Sequence, residues 1–145
     1  MVINEKENHD ENINGLGKMT NASESSGGFS SSVSYGYDQR GLVTGITYPN
    51  EKIASYSRDC LGRIDSVTYD GRTIVGYGYQ GDKIAYKQMP DADIEYDATI
   101  DTLGRITAET YSDISDSQSL IANTYDYTNS SNRMDQRDST SYGFD

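Results

Sequence analysis

The chain has 145 residues, with 12 Lys and Arg set against 23 Asp and Glu for a net charge of -11, and a mean hydropathy of -0.76. An acidic surface repels phosphate, which excludes a binder of duplex nucleic acid or of an anionic membrane. Leu, Ile, Val and Phe make up 24 of the 145 residues, below the ~20% at which a charged chain is suspected of disorder. Against that count stand 13 tyrosines, whose rings bury apolar area while the hydroxyls stay wet, so an exposed sheet can use them where a globule uses Leu.

Residues 1–34 contain no Tyr, seven Ser and the run Ser-Glu-Ser-Ser-Gly-Gly. That composition cannot repay its ordering entropy and predicts a disordered polar leader. The leader starts with neither the basic residues nor the apolar stretch of a signal peptide. Its Asn12-Ile13-Asn14-Gly15-Leu16-Gly17 stretch has no strand signal before it and no helix signal after it, so it reads as flexible linker, not a phosphate loop. His9, the only histidine, lacks a second ligand nearby and takes no role. No run reaches the ~18 apolar residues of a spanning helix, so no membrane insertion is expected. Cys60 is the only cysteine, which precludes an internal disulfide.

From Tyr35 onward the chain repeats itself. Asp38-Gln39-Arg40-Gly41, Asp59-Cys60-Leu61-Gly62 and Asp101-Thr102-Leu103-Gly104 share Asp-x-x-Gly, and each Gly is followed seven residues later by Tyr48, Tyr69 or Tyr111. Weaker copies place Asp82 and Asn132 at the Gly position, giving spacings of 21, 20, 22 and 28 residues. Asp-x-x-Gly suits a type I turn, with Asp capping backbone N–H groups and the fourth residue entering the left-handed region. After the turn, Ile46 and Tyr48, Val67 and Tyr69, and Ile84 and Tyr86 each stand two apart and share one face of a strand.

A second reversal follows each strand, at Pro49-Asn50-Glu51-Lys52 and at Asp70-Gly71, the latter a strong hairpin signal. The pattern predicts an all-β antiparallel meander of hairpins over 35–145, with about five repeats of about 21 residues and about ten strands. A surface loop is expected near 112–124, where the tyrosine spacing widens.

The repeat resembles that of the bacterial RHS or YD-repeat proteins, Tyr-Asp-x-x-Gly-Arg-Leu followed by alternating apolar positions and Tyr. Asp59-Cys60-Leu61-Gly62-Arg63-Ile64 and Asp101-Thr102-Leu103-Gly104-Arg105-Ile106 carry the likeness, with Tyr37-Asp38 as the Tyr-Asp pair and Tyr142-Gly143-Phe144-Asp145 opening another copy. Leu42 and Lys83 depart from the Arg position. The resemblance implies a segment of a spiral β-sheet that closes into a hollow shell around a toxic polypeptide, with no chemistry of its own. Its expected partners are neighbouring repeats of a longer chain or a toxin cargo, and the family implies a secreted or cell-surface setting. The family's Asp-Pro-x-Gly self-cleavage segment has no counterpart, since Pro49 and Pro90 do not follow Asp. A stretch of this length is too short for a closed shell, so a fragment or remnant of a longer protein is expected.

Turn capping explains Asp38, Asp59 and Asp101 better than calcium, which needs several oxygen ligands packed into one segment. The acid pairs Asp91/Asp93 and Asp113/Asp116 have no basic partner in sequence to set a pKa and read as solvated loops. No Ser has a plausible base, Cys60 has no His beside it, and neither metal nor cofactor is expected. Arg63, Arg105 and Arg133 are expected to pair across strands with acids. The repeat tyrosines Tyr37, Tyr48, Tyr56, Tyr69, Tyr79, Tyr111 and Tyr127 are the one functional candidate, because aromatic faces stack on sugars. The sequence thus predicts a non-enzymatic repeat segment held by Asp38, Gly41, Asp59, Gly62, Asp101, Gly104 and Asn132, with a polysaccharide-binding repeat module as the alternative.

Overall fold

The computed structural model describes residues 17–127 in full and the backbone alone of strands at 6–9 and 134–141. Two compact units divide the chain, Met1–Arg72 and Thr73–Asp145. The first holds β1 (Lys6–His9), β2 (Met19–Ser26), β3 (Phe29–Tyr37), β4 (Val43–Thr47), β5 (Ile53–Arg58) and β6 (Ile64–Tyr69). β7 (Arg72–Gln80) begins at the division and belongs to the second unit with β8 (Lys83–Met89), β9 (Ile94–Ile100), β10 (Ile106–Asp113), β11 (Ser119–Tyr127) and β12 (Met134–Ser141). Within each unit the strands follow one another in an antiparallel meander whose order is that of the chain. A single 3₁₀ turn, Pro90–Ala92, is the only helical element among the described residues.

The Ser-rich stretch is the main departure from expectation. Residues 19–34, assigned by composition to a disordered leader, form β2 and most of β3, paired from Asn21 against Ser34 to Ser26 against Phe29. Their backbone hydrogen bonds are those of any hairpin, and the Gly27-Gly28 turn, with φ of +58° and +86°, supplies two residues free to adopt a tight reversal. Tyr37 compensates for the missing apolar side chains, since its hydroxyl donates to the Met19 carbonyl at 2.6 Å. The remainder of the expected leader, residues 1–5 and 10–16, lies outside the described residues.

The hydrophobic alternation translates into cross-strand rows. In the first unit Tyr35 stands opposite Ile46, Ile46 opposite Ala54, and Ala54 opposite Tyr69. In the second, Tyr77 faces Lys87, Lys87 faces Tyr96, Tyr96 faces Tyr111, and Tyr111 faces Ile121. The centres of these rows are the dry part of the protein, with Ala54 and Tyr96 only 6% and 7% exposed. Among the described residues no side chain is completely buried, in keeping with sheets that carry no second layer.

Each repeat also places a β-bulge at the same point. Thr20, Thr44, Asp65 and Thr107 are skipped by the ladder, and each is the third residue after Gly17, Gly41, Gly62 or Gly104. A bulge bends its strand and strengthens the local twist. Repeating it once per repeat imposes the same twist at every step.

Candidate functional site

The repeated Asp-x-x-Gly turns are built identically at 59 and 101. The amide of Gly62 donates to the Asp59 carbonyl and that of Asp59 to the Arg63 carbonyl, both at 2.9 Å. Gly104 and Asp101 make the corresponding bonds at 3.0 and 2.9 Å. This is a type I turn followed by a left-handed residue, the three-residue hairpin loop. Gly62 and Gly104 have φ of +86° and +76°, where a side chain is strained.

The Asp side chain completes each turn from inside. Asp59 Oδ1 accepts from the Leu61 and Arg63 amides at 2.9 Å, while Oδ2 accepts from Arg63 Nε at 2.7 Å and lies 2.7 Å from Nη2. Asp101 does the same with Leu103 and Arg105, ending in contacts of 2.7 and 2.6 Å to the Arg105 guanidinium. Both guanidinium N–H groups meet the one oxygen Oδ2, a charge-assisted contact that leaves Oδ1 to the backbone amides. Hydrogen bonds from the Arg105 backbone, opposed by partial desolvation and reinforced by the Arg105 side chain, hold the Asp101 carboxyl below its ordinary range. For Asp59 desolvation opposes the shift most, yet the bonds and charge of Arg63 win and the carboxyl is again lowered. Arg63 and Arg105 therefore bind the acid of their own turn, where cross-strand pairing is expected from sequence.

The turn at Asp38 reaches the same result by exchanging two residues. Here Arg stands second after Asp and Leu fourth, the reverse of the other two. Arg40 nonetheless meets Asp38 Oδ2 through Nε and Nη2, both at 3.1 Å, and the Arg40 and Leu42 amides donate to Oδ1 at 2.9 and 2.8 Å. Gly41 has φ of +74° and is buried. In the weaker copy Gly81, at φ +62°, takes the left-handed conformation that the alignment gives to Asp82. A glycine at the first of two loop positions is the type II′ hairpin pattern. Asn132 and Arg133 lie outside the described residues.

The repeat tyrosines divide by role. Tyr37 and Tyr127 donate their hydroxyls to the Met19 and Ile106 carbonyls at 2.6 and 2.8 Å. Lys18 Nζ lies 6.0 Å from the Tyr37 ring centroid and Arg105 Cζ 4.5 Å from that of Tyr127. Tyr48 and Tyr69 meet edge to face at 6.0 Å, with Lys52 over Tyr69 at 5.7 Å. Tyr111 lies 5.0 Å from Tyr96, while Tyr56 and Tyr79 stand opposite Val67 and Ile84. The Tyr37 and Tyr127 hydroxyls are thus committed within the sheet, while Tyr48 stays 37% exposed.

Sequence reasoning missed a polar cluster in the second unit. The Glu109 carboxylate accepts from Asn123 Nδ2 at 3.0 Å, from the Tyr96 hydroxyl at 3.4 Å and from the Tyr125 hydroxyl. Asn123 is 5% exposed. Burial, with the Glu109 charge next, raises the Tyr96 phenol above its ordinary value. No turn motif marks these residues, and the only signal is an acid, Glu109, two positions before a repeat tyrosine. Among the described residues no group of three or more His, Cys, Asp or Glu side chains is placed to hold a metal ion. No helix there is long and apolar enough to cross a membrane.

Neither family models nor curated proteins match the sequence. Solved structures do resemble the fold. The Photorhabdus luminescens Tc holotoxin pore, in a form with a mutated TccC3, matches 77% of this chain and 6% of its own at 14% identity and a TM-score of 0.59. The TcdB2-TccC3 structure matches 78% of this chain and 7% of its own at 13% identity and a TM-score of 0.61. The chain thus spans a small part of these toxin components and is similar to them in fold.

Proposed function

We propose that the chain is a non-enzymatic structural segment of a larger RHS or YD-repeat protein, contributing strands to a β-sheet shell that houses a toxin. The observation that carries this reading is the same clamped turn at 38, 59 and 101, in which each recurring side chain is consumed in holding the repeat together. Each recurring Asp accepts two backbone amides on one oxygen and two guanidinium N–H groups on the other, so its carboxylate is occupied by its own turn. The fold likeness to Tc toxin components supports the shell setting. Against stacking on polysaccharide stands a cation over one face of each of the Tyr37, Tyr69 and Tyr127 rings.

Cryo-electron microscopy of the longest natural polypeptide carrying this segment tests the reading. The expected result is that flanking repeats extend the meander and enclose a cavity. A parallel pull-down of the 145-residue chain on insoluble cell-wall polysaccharide is expected to leave it in the supernatant. Retention that Tyr48→Ala abolishes would overturn the structural reading in favour of a polysaccharide-binding module.

A further inference from the structure

One repeat reaches the next through two side chains, and their identities change together. At the first junction Lys18 follows Gly17 and runs forward over the next turn. A Cβ on Gly41 would come within 2.9 Å of Lys18 Cε, and the Lys18 ammonium lies over the Tyr37 ring. Tyr37 in turn binds the carbonyl of Met19, the second residue after Gly17. In the other unit Arg105 follows Gly104 and stacks on Tyr127, whose hydroxyl binds Ile106, again the second residue after the glycine. Both junctions therefore combine a cation after the glycine with a tyrosine that receives it.

The junction between the turns at 38–42 and 59–63 does the same work with the chemistry reversed. Leu42 follows Gly41 and packs on the next turn, its Cδ1 3.6 Å from where a Cβ of Gly62 would stand. The position of the receiving tyrosine is taken by Arg58, whose Nη2 binds Val43, the second residue after Gly41, at 3.2 Å, and whose Nη1 binds Gly62 at 3.2 Å. A cation at 42 would face the Arg58 guanidinium, and like charges at close range repel. With Leu42 unable to clasp Asp38, Arg40 does so from the other side of the turn.

We infer that Arg40, Leu42 and Arg58 form a matched set that makes this junction incompatible with a lysine-and-tyrosine junction. The turn at 101 is preceded by Ile100 and uses neither pair, so the matched set belongs to the junction at Leu42 and Arg58. The inference rests on reading the chain as stacked structural repeats but adds what matches one turn to the next at this junction.

A thermodynamic cycle on the 145-residue chain tests it by urea unfolding. Leu42→Arg alone is expected to lower the urea midpoint. The triple change Arg40→Leu, Leu42→Arg and Arg58→Tyr, which rebuilds the other junction type, is expected to recover at least half of that loss. Losses that simply add would overturn the matched set, while leaving the structural reading to its own test on polysaccharide. Amide exchange supplies a second readout that survives a loss of global stability. Lys18→Ala is expected to speed exchange at the Gly41 amide about two- to fivefold, the factor equivalent to an exposed cation–π contact of ~0.5–1 kcal/mol, and to leave the Gly104 amide unchanged. Equal acceleration at both amides would show that Lys18 has no local role at the junction.

Discussion

The two units solve one problem in different ways. In the first the row through the sheet centres on Ala54, flanked by Ile46 and Tyr69, so the middle is small and apolar. In the second the corresponding row passes through Tyr96 and Tyr111, and beside it on the same face the Glu109 carboxylate gathers donors from Tyr96, Asn123 and Tyr125. A single-layer sheet needs flat, half-buried side chains, and both small apolar and tyrosine-rich centres meet that need. The polar centre has the greater liability, because a buried network is stable only while every member is satisfied.

The largest expected effect is therefore at Glu109. Glu109→Ala removes one acceptor from three donors, two of them on residues less than a tenth exposed. The loss is expected to be about 2–4 kcal/mol, seen by amide exchange as opening of β9 to β11 with β4 to β6 protected. Uniform opening of both units would end the contrast drawn between them.

Next come the turn glycines, where the units are alike. Gly62→Val and Gly104→Val each force a β-branched residue to φ near +80°, and each is expected to cost about 1–3 kcal/mol in chemical denaturation. Gly62→Val carries the added burden of Arg40 Nη1, 3.0 Å from the new Cβ, and is expected to be the worse of the two.

The units part again with pH. Tyr86, through its bond to Glu95 and then burial, and Tyr96, through burial and then Glu109, have phenols raised above the ordinary 10.0. A raised phenol contributes stability that is complete below the ordinary value and lost as pH rises above it. The second unit is thus expected to open first in alkali. In acid both units lose the contribution of lowered carboxyls, Asp38 and Asp59 in one and Asp101 and Asp113 in the other. That contribution is present above the ordinary carboxylate value and disappears as pH falls through the lowered ones. Asp97 opposes the trend: burial, then Glu95, raises its carboxyl, so the second unit gains as the pH first falls through that raised value. Residue-resolved amide exchange across a pH series checks both limbs, and Asp97→Asn is expected to remove the gain.

The smallest effect is expected at Lys52, whose ammonium meets Asp70 at 3.1 Å with both side chains about half exposed. Lys52→Ala is expected to cost less than about 1 kcal/mol in the same denaturation assay.

Much of this architecture is written in local sequence. Asp at one position and Gly three later specify a reversal because a carboxylate caps the amides and only glycine enters the left-handed region without strain. Alternation such as Ile46/Tyr48 then fixes which face each strand presents. The Ser-rich strands were illegible for a definite reason. Composition reports how much apolar surface a segment brings, and β2 brings little, but a strand beside an established hairpin borrows its stability from backbone pairing and from Tyr37 of the next strand. One signal was present: Asn14-Gly15-Leu16-Gly17-Lys18-Met19 parallels Asp59-Cys60-Leu61-Gly62-Arg63-Ile64 with a similar residue at nearly every step.

The sequence by itself determined the repeat, its turns and the all-β class, because each depends on residues within a few positions of one another. Only the tertiary structure decided that Arg63 and Arg105 turn back onto their own Asp, that Arg58 does a tyrosine's work, and that Glu109 gathers Tyr96, Asn123 and Tyr125. Those outcomes depend on register between strands. A change of one residue in register carries a side chain to the opposite face, and the bulge in each repeat, which no composition or periodicity marks, sets that register.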